Sequence, residues 1–159
     1  MIYTYFQAEK KAGQVALAIG IVAGSLGGGV LLSAGAPFYT GLAIPLVLIG
    51  MVQVMVGATL ARRSDRQAED LEKLRDDSPA EFRAAEAPRM AKVLRNFVMI
   101  KGIELALNAA GLLLILLNND LTFSKGLGAG LFAQSAVMLV FDVLAERRGK
   151  AYAAFVDKS

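Results

Sequence analysis

The feature that most constrains this chain is a set of four apolar stretches, each as long as a membrane-spanning helix. They cover residues 14–34, 41–61, 97–117 and 126–145. A helix of about 20 residues crosses a hydrocarbon layer about 30 Å thick. The stretches lack the wide polar stripe that a helix of a soluble bundle turns to water. The chain, which is 55% hydrophobic, is therefore predicted to be an all-α membrane protein with four transmembrane helices.

The distribution of basic residues predicts how the spans are oriented. Of the 17 lysines and arginines, only Lys125 lies in the short connections at 35–40 and 118–125. The others precede the first span, lie between spans two and three or just inside span three, or follow span four. Since basic residues are retained on the cytoplasmic side, we expect both termini and the central segment to be cytoplasmic. The expected location is the bacterial inner membrane.

The two halves of the chain resemble one another. Shifted by 85 residues, 31–63 aligns without a gap with 116–148, and nine of the 33 aligned pairs are identical. The specific shared features are a Phe-x-x-Gly-Leu motif after the short connection and an Arg-Arg pair at the end. We therefore expect a duplicated helical hairpin, with both copies in one orientation about an axis along the membrane normal. Convergent loop and helix-end signals in two unrelated hairpins would give a similar match.

The polar segment between the hairpins predicts a short cytoplasmic helical cap. Residues 78–81 read Ser-Pro-Ala-Glu, a capping box with proline at the first helical position. Pro88 is expected to break this helix before span three begins. Aromatic residues near the termini are expected to anchor at the membrane interface: Tyr3, Tyr5, Phe6, Tyr152 and Phe155. The predicted organisation is a first hairpin (1–63), the polar segment (64–96), a second hairpin (97–148) and a cytoplasmic tail (149–159).

Small residues at regular spacing predict how the spans pack, because helices in lipid associate through close backbone approach. The candidate packing residues are Ala16, Gly20, Gly24 and Gly28 on span one, Gly50 and Gly57 on span two, and Gly126 and Gly130 on span four. The four-residue spacing on span one predicts one extended helix-packing face of the GxxxG type. This face would serve either intramolecular packing or a homo-oligomer interface.

A polar cluster inside the spans is the candidate site. Its members are Lys101, Glu104 and Asn108 on one face of span three, Gln134 and Asp142 on span four, and Gln53 on span two. Ionisable residues in a membrane span usually pair with one another or line a wet cavity. The cluster is therefore either a structural clasp, in which Lys101 neutralises Glu104, or a cytoplasmic-facing cavity for an ion, a proton or a small polar ligand.

The composition removes most catalytic chemistry, because the chain contains no histidine, cysteine or tryptophan. We predict no catalytic residue, metal site or cofactor, and no nucleic-acid partner. The expected function is non-catalytic: an accessory or immunity-type protein that binds a membrane partner or toxin through helix-helix contacts. The expected partners are the lipid bilayer and either a second copy of the chain or another membrane protein. The alternative is a small oligomeric transporter or channel that uses Glu104 and Asp142. A membrane enzyme acting on lipid is a third, less favoured reading.

Overall fold

The computed structural model describes residues 1–33 and 35–159, which form four long α-helices. These are α1 Ile2–Leu32, α2 Pro37–Asp77, α3 Pro79–Leu116 and α4 Phe123–Val156. The predicted all-α class is confirmed, and each helix contains a segment long and apolar enough to cross a membrane. We call the end of the bundle with the chain termini and the α2–α3 turn the terminal end. The opposite end, with the α1–α2 and α3–α4 connections, is the turn end.

The first hairpin is held by a seam of small residues that repeats every seven positions. Gly13, Gly20 and Gly27 on α1 lie opposite Gly57, Gly50 and Ala43 on α2. A Cβ added to Gly20 would lie 2.6 Å from the Gly50 carbonyl oxygen, and one added to Gly57 would lie 2.5 Å from the Gly13 carbonyl oxygen. Only glycine permits backbones to approach this closely. The seven-residue spacing keeps the same two faces together along most of the hairpin.

This seam differs from the predicted four-residue face of α1. Gly20 belongs to it, but a Cβ added to Gly24 or Gly28 would meet no atom within 4 Å in the part of the chain that the structure describes. Ala16 instead lines a cavity between the hairpins. The reason is geometric: each step of four residues turns about 40° around the helix, whereas a step of seven drifts only about 20°. The GxxxG prediction for α1 is therefore replaced by a heptad spacing.

The two hairpins meet chiefly along α2 and α4. At the turn end, a Cβ on Gly41 would collide with the Phe123 carbonyl oxygen, and a Cβ on Gly126 would collide with the Phe38 carbonyl oxygen. At the 85-residue offset Gly41 corresponds to Gly126 and Phe38 to Phe123, so the two contacts are equivalent. Gly130 also packs on α2, because its Cβ would lie 2.7 Å from a backbone oxygen of that helix. These contacts close the turn end of the bundle.

The outer surface of the bundle is apolar around its middle. Large hydrophobic side chains are more than half exposed on all four helices, among them Leu26, Leu48, Met55, Val98, Leu113 and Val140. We call this surface the apolar belt. Soluble monomers rarely expose apolar patches of such extent. The belt is the surface expected of helices that contact lipid rather than water.

The largest buried hydrophobic cluster lies outside the apolar belt, at the terminal end. We call it the cap core; its fully or nearly buried members are Ile2, Tyr5, Phe6, Ala68, Phe82, Met90, Tyr152 and Val156. The Tyr5 and Tyr152 rings stack with centroids 4.3 Å apart. The prediction that Tyr5, Phe6 and Tyr152 anchor at a membrane interface is wrong. All four helices extend beyond their apolar segments, so these rings pack against one another instead.

Helix α3 begins where the sequence predicts but does not end at Pro88. Its predicted start is confirmed, because the Ser78 hydroxyl accepts a hydrogen bond from the Glu81 backbone N–H at 3.4 Å. However, Pro88 does not end the helix, and α3 continues without a break into span three. Proline removes one helical hydrogen bond and crowds the preceding turn. Phe82 and Met90, buried on either side of it in the cap core, hold the helix together across that position.

Candidate functional site

Two of the predicted polar residues bond directly across the hairpin interface. The Gln53 amide nitrogen donates to the Gln134 side-chain oxygen at 3.3 Å, and both side chains are buried. This bond joins α2 to α4 at the level of the apolar belt. The side-chain oxygen of Gln53 is itself left without a hydrogen-bond partner among residues 1–33 and 35–159.

Asn108 connects the two helices of the second hairpin. Its amide nitrogen donates to the Phe132 carbonyl oxygen and to the Ser135 hydroxyl, each at 3.2 Å. A hydrogen bond between transmembrane helices contributes about 0.6 kcal/mol on average. The role of Asn108 in this arrangement is therefore to fix the register of α3 against α4.

Lys101 pairs with Glu146 rather than with Glu104. The Lys101 ammonium donates to one Glu146 carboxylate oxygen, and Lys150 lies 3.1 Å from the other. Side chains on a helix lean toward its N-terminus, which directs Lys101 toward the terminal end, where long basic chains reach more polar surroundings. The two lysines lower the pKa of Glu146. The expected neutralisation of Glu104 by Lys101 is therefore not present as a direct ion pair.

Glu104 and Asp142 form a pair of neighbouring carboxyls within the spans, which we call the carboxylate pair. The two groups interact electrostatically across the α3–α4 seam. Glu104 is only 3% exposed, and its side-chain oxygens accept no hydrogen bond from an N–H or a hydroxyl group in the described part of the chain. Its polar neighbour is the Asp142 carboxyl, with which it can share a proton. Counting 1.5 Å per residue, Glu104 lies about 10 Å inside span three. Two buried carboxyls are costly when both are ionised, and sharing one proton removes much of that cost.

Asp142 occupies the position in the second hairpin that Gly57 occupies in the first, whereas the counterpart of Glu104 at the 85-residue offset is Ile19. Gly111 on α3 packs against Gly128 on α4, with each Cβ position 2.6 to 2.7 Å from the carbonyl oxygen of the other residue. Glu104 lies seven residues before Gly111, and Asp142 lies two heptads after Gly128. The seam is therefore close-packed at the turn end and carries carboxyls toward the terminal end.

Two adjoining cavities lie beside Asp142 and extend toward the terminal end, and Glu104 lines neither of them. The smaller, of about 90 Å³, is lined by Gln53, Asp142, Glu9 and Arg148 among apolar side chains. The larger, of about 280 Å³, shares Glu9 and Asp142 and continues past Arg63 and Arg89. Most of the lining of both cavities is apolar, so their charged side chains are the places where water molecules would be held. Asp142 therefore borders cavities on its terminal-end side, while α2 and α4 pack closely together toward the turn end.

Sequence reasoning missed the charged groups that surround these cavities. Glu9 lies 3.5 Å from the Arg148 guanidinium; burial raises the pKa of Glu9, and Arg148 partly offsets that rise. Buried Glu86 accepts two hydrogen bonds from Arg89. The three-residue spacing of Glu86 and Arg89 was a usable signal. Glu9 and Arg148 lie 139 residues apart, so no local pattern could have linked them.

The described residues contain no group of three or more acidic, histidine or cysteine side chains that could hold a metal ion. The chemistry of the carboxylate pair is that of two carboxyls in a site of low dielectric constant, which together favour holding a proton. The sequence matches no protein-family model, and no curated protein or solved structure is significantly similar to it.

Proposed function

We propose that the chain is an integral protein of the bacterial inner membrane with four spans and both termini in the cytoplasm. The exposed apolar belt supports insertion, and the concentration of basic residues at the terminal end supports the orientation. We also propose that the two hairpins arose by duplication. The reciprocal contacts of Gly41 with Phe123 and of Gly126 with Phe38 support this relationship.

Within the membrane, we propose that the protein is a small transporter or channel for protons or monovalent cations. The observation that carries the proposal is the buried Glu104 carboxyl, which accepts no hydrogen bond from an N–H or hydroxyl group of the described residues and lies beside the Asp142 carboxyl. Two adjacent carboxyls in a low-dielectric site cannot both stay ionised without a counter-charge. The cavities that reach Asp142 would deliver a proton or cation from the cytoplasmic side.

The turn end sets a condition on transport. The close contacts around Gly41 and Gly126 pack α2 tightly against α4 on that side of the carboxylate pair. A transport cycle would therefore require the α2–α4 contact to part, or a second copy to complete the pathway. Four spans are few for a complete route within one chain, so we expect a dimer or larger assembly.

The experiment is flux in liposomes of defined lipid composition. Purified protein is reconstituted with a pH-sensitive or sodium-sensitive dye inside, and an ion gradient and a membrane potential are imposed. The proposal predicts a flux that Glu104→Gln and Asp142→Asn abolish. Glu69→Gln, which alters an exposed carboxyl of the cap, is the matched control and should leave the flux unchanged. Absence of flux under proton and sodium gradients, or full flux in Glu104→Gln, would contradict the proposal.

A second candidate function is the non-catalytic one, an accessory or immunity-type protein that binds a membrane partner or toxin. It is favoured by α1, where added Cβ atoms on Gly24, Gly28 and Gly29 would meet nothing within 4 Å in the described structure. A shallow groove beside them is lined by Ile21, Gly24 and Ser25 of α1 and by Met51, Val54 and Met55 of α2. Small residues exposed at membrane depth allow a partner helix to approach closely.

This second function predicts that filling the groove blocks partner binding without disturbing the fold. Gly24→Leu should abolish cross-linking to the partner in cells, since Gly24 lines the groove and an added Cβ there meets nothing within 4 Å among the described residues. Ala106→Leu, on the exposed face of α3, serves as the control and should retain cross-linking. Equal cross-linking in both variants, or none in the native protein, would count against this function.

A further inference from the structure

Three arginines on α2 form a cationic cluster at the boundary of the apolar belt. Arg62, Arg63 and Arg66 are exposed, and none of them makes a salt bridge within residues 1–33 and 35–159. They line an open depression of about 760 Å³, whose other lining residues are Val54, Met55, Ala58, Thr59, Gln67 and Asp70. We call this depression the arginine groove.

Arg95 and Arg147 also make no salt bridge among the described residues, so the arginine cluster is set apart by its three guanidinium groups lining one depression. Several other basic residues near this level are paired. Lys10 pairs with Asp65, Arg89 with Glu86, Lys101 with Glu146, and Arg148 with Glu9. Asp65, the acidic residue of α2 nearest the cluster in sequence, is occupied by Lys10 and by the Gln7 amide at 3.1 Å. Asp70 is the one carboxylate in the groove lining. The arginine groove therefore keeps a net positive charge.

The groove also changes from apolar to cationic along a single helix face. Met55, Thr59, Arg62 and Arg66 follow one another at spacings of four, three and four residues, which places them on one side of α2. Met55 is 68% exposed and belongs to the apolar belt. From Met55 to Arg62 the rise is about 10 Å. An amphiphile lying along this face would meet apolar groups first and guanidinium groups at its polar end.

We propose that the arginine groove binds an anionic phospholipid. The phosphodiester would accept paired hydrogen bonds from the Arg62 and Arg66 guanidinium groups, a geometry for which arginine is suited and lysine is not. An acyl chain would lie along Met55 and Ala58, and Thr59 and Gln67 offer further hydrogen bonds to the headgroup. Basic pockets beside cytoplasmic helix ends recognise anionic lipid headgroups in this way. The inference rests on the proposed membrane insertion but not on any transport activity.

The test measures lipid binding to the full chain already reconstituted in nanodiscs or mixed micelles. Native mass spectrometry compares retention of phosphatidylglycerol with that of phosphatidylcholine. Native protein should prefer phosphatidylglycerol, and the double variant Arg62→Gln/Arg66→Gln should lose that preference by roughly 10- to 30-fold, since each arginine near an anionic surface contributes about a factor of five. Lys73→Gln/Arg83→Gln removes the same charge from exposed cap positions and should keep the preference.

Three results would overturn the proposal. Equal retention of both lipids by the native protein would show that the groove does not select an anionic headgroup. An equal loss in the two double variants would show that net charge alone attracts the lipid. Displacement of the lipid by millimolar inorganic phosphate would show a site for a free anion instead. Because the protein is measured while inserted, any of these outcomes would leave membrane insertion itself intact.

Discussion

The heptad seam between α1 and α2 makes a sharp prediction for two glycines that sequence spacing alone treats as equivalent. Gly20 and Gly24 both belong to the predicted four-residue face, but only Gly20 lies in the seam. An alanine Cβ at Gly20 would lie 2.6 Å from the Gly50 carbonyl oxygen and 2.8 Å from the Val54 backbone nitrogen. The same Cβ at Gly24 would meet nothing within 4 Å among the described residues.

The size of the effect follows from these distances. To restore an ordinary contact of 3.4 Å, α1 and α2 must separate at Gly20 by about 0.8 Å. Overpacking of a close-packed contact costs about 1–3 kcal/mol, whereas replacing glycine by alanine in a helix contributes about 0.5–1 kcal/mol. Gly20→Ala should therefore lower the free energy of unfolding by about 1–2 kcal/mol. Gly24→Ala should leave it unchanged or raise it by up to about 1 kcal/mol.

The assay is equilibrium unfolding in mixed micelles, in which an increasing mole fraction of denaturing detergent is followed by circular dichroism. Both variants must first elute as the native protein does in size-exclusion chromatography. The comparison is internal, because the two substitutions are chemically identical and lie one helical turn apart. Equal stability of the two variants, or a larger loss in Gly24→Ala, would refute the heptad seam and favour the four-residue face.

Three further predictions follow from the polar and aromatic contacts. Gln134→Leu should lower the free energy of unfolding by about 1 kcal/mol by stranding the Gln53 amide, and adding Gln53→Leu should restore part of the loss; strictly additive effects in this double-mutant cycle would contradict the bond. In the folded protein, two lysines lower the pKa of Glu146 from 4.5. The ionised Glu146 carboxylate therefore contributes its full stabilisation above pH 4.5, and this stabilisation is lost as the pH falls through the pKa that Glu146 has in the folded protein. Glu146→Gln should flatten this acid-side slope in thermal melts, and an unchanged slope would show that the contacts contribute nothing. Tyr152→Ala, which removes a ring that is 1% exposed and stacked in the cap core, should lower the free energy of unfolding in mixed micelles by about 3–5 kcal/mol; a loss below 1 kcal/mol would mean that the cap core does not stabilise the bundle.

Much of the fold could be predicted because it depends on patterns that are local in sequence. Four apolar stretches of span length predict four long helices regardless of how they pack. The capping box at Ser78 fixes where α3 begins, since the hydroxyl satisfies a backbone N–H that the helix leaves free. Predictions of this kind require only the residues within one or two helical turns.

The sequence predictions that were wrong concern contacts between residues far apart in the chain. In the glycine-rich run of α1, spacings of four and of seven are both present, and only the position of α2 decides that Gly27 rather than Gly28 is buried. Pro88 looks like a helix end until the cap core is known. The aromatic residues near the termini look like interfacial anchors because nothing local shows that the two termini pack together.

The candidate site was predicted in composition but not in pairing. Local spacing placed Lys101 beside Glu104, whereas the partner of Lys101 is Glu146, 45 residues away. Because Lys101 pairs with Glu146, the buried Glu104 carboxyl has no cation in direct contact with it. A sequence pattern identifies that ionisable groups lie within a span, but the functional hypothesis depends on which of them remain unpaired.

The most direct test of the whole account is a topology measurement with single cysteines, which the cysteine-free chain allows without background. Arg83→Cys places the label in the cap, and Asn119→Cys places it in the α3–α4 connection. With a membrane-impermeant maleimide on intact cells, we predict labelling at position 119 and none at position 83 until the inner membrane is permeabilised. Labelling of both positions from the same side, or recovery of the chain as a detergent-free soluble monomer, would contradict a four-span membrane protein.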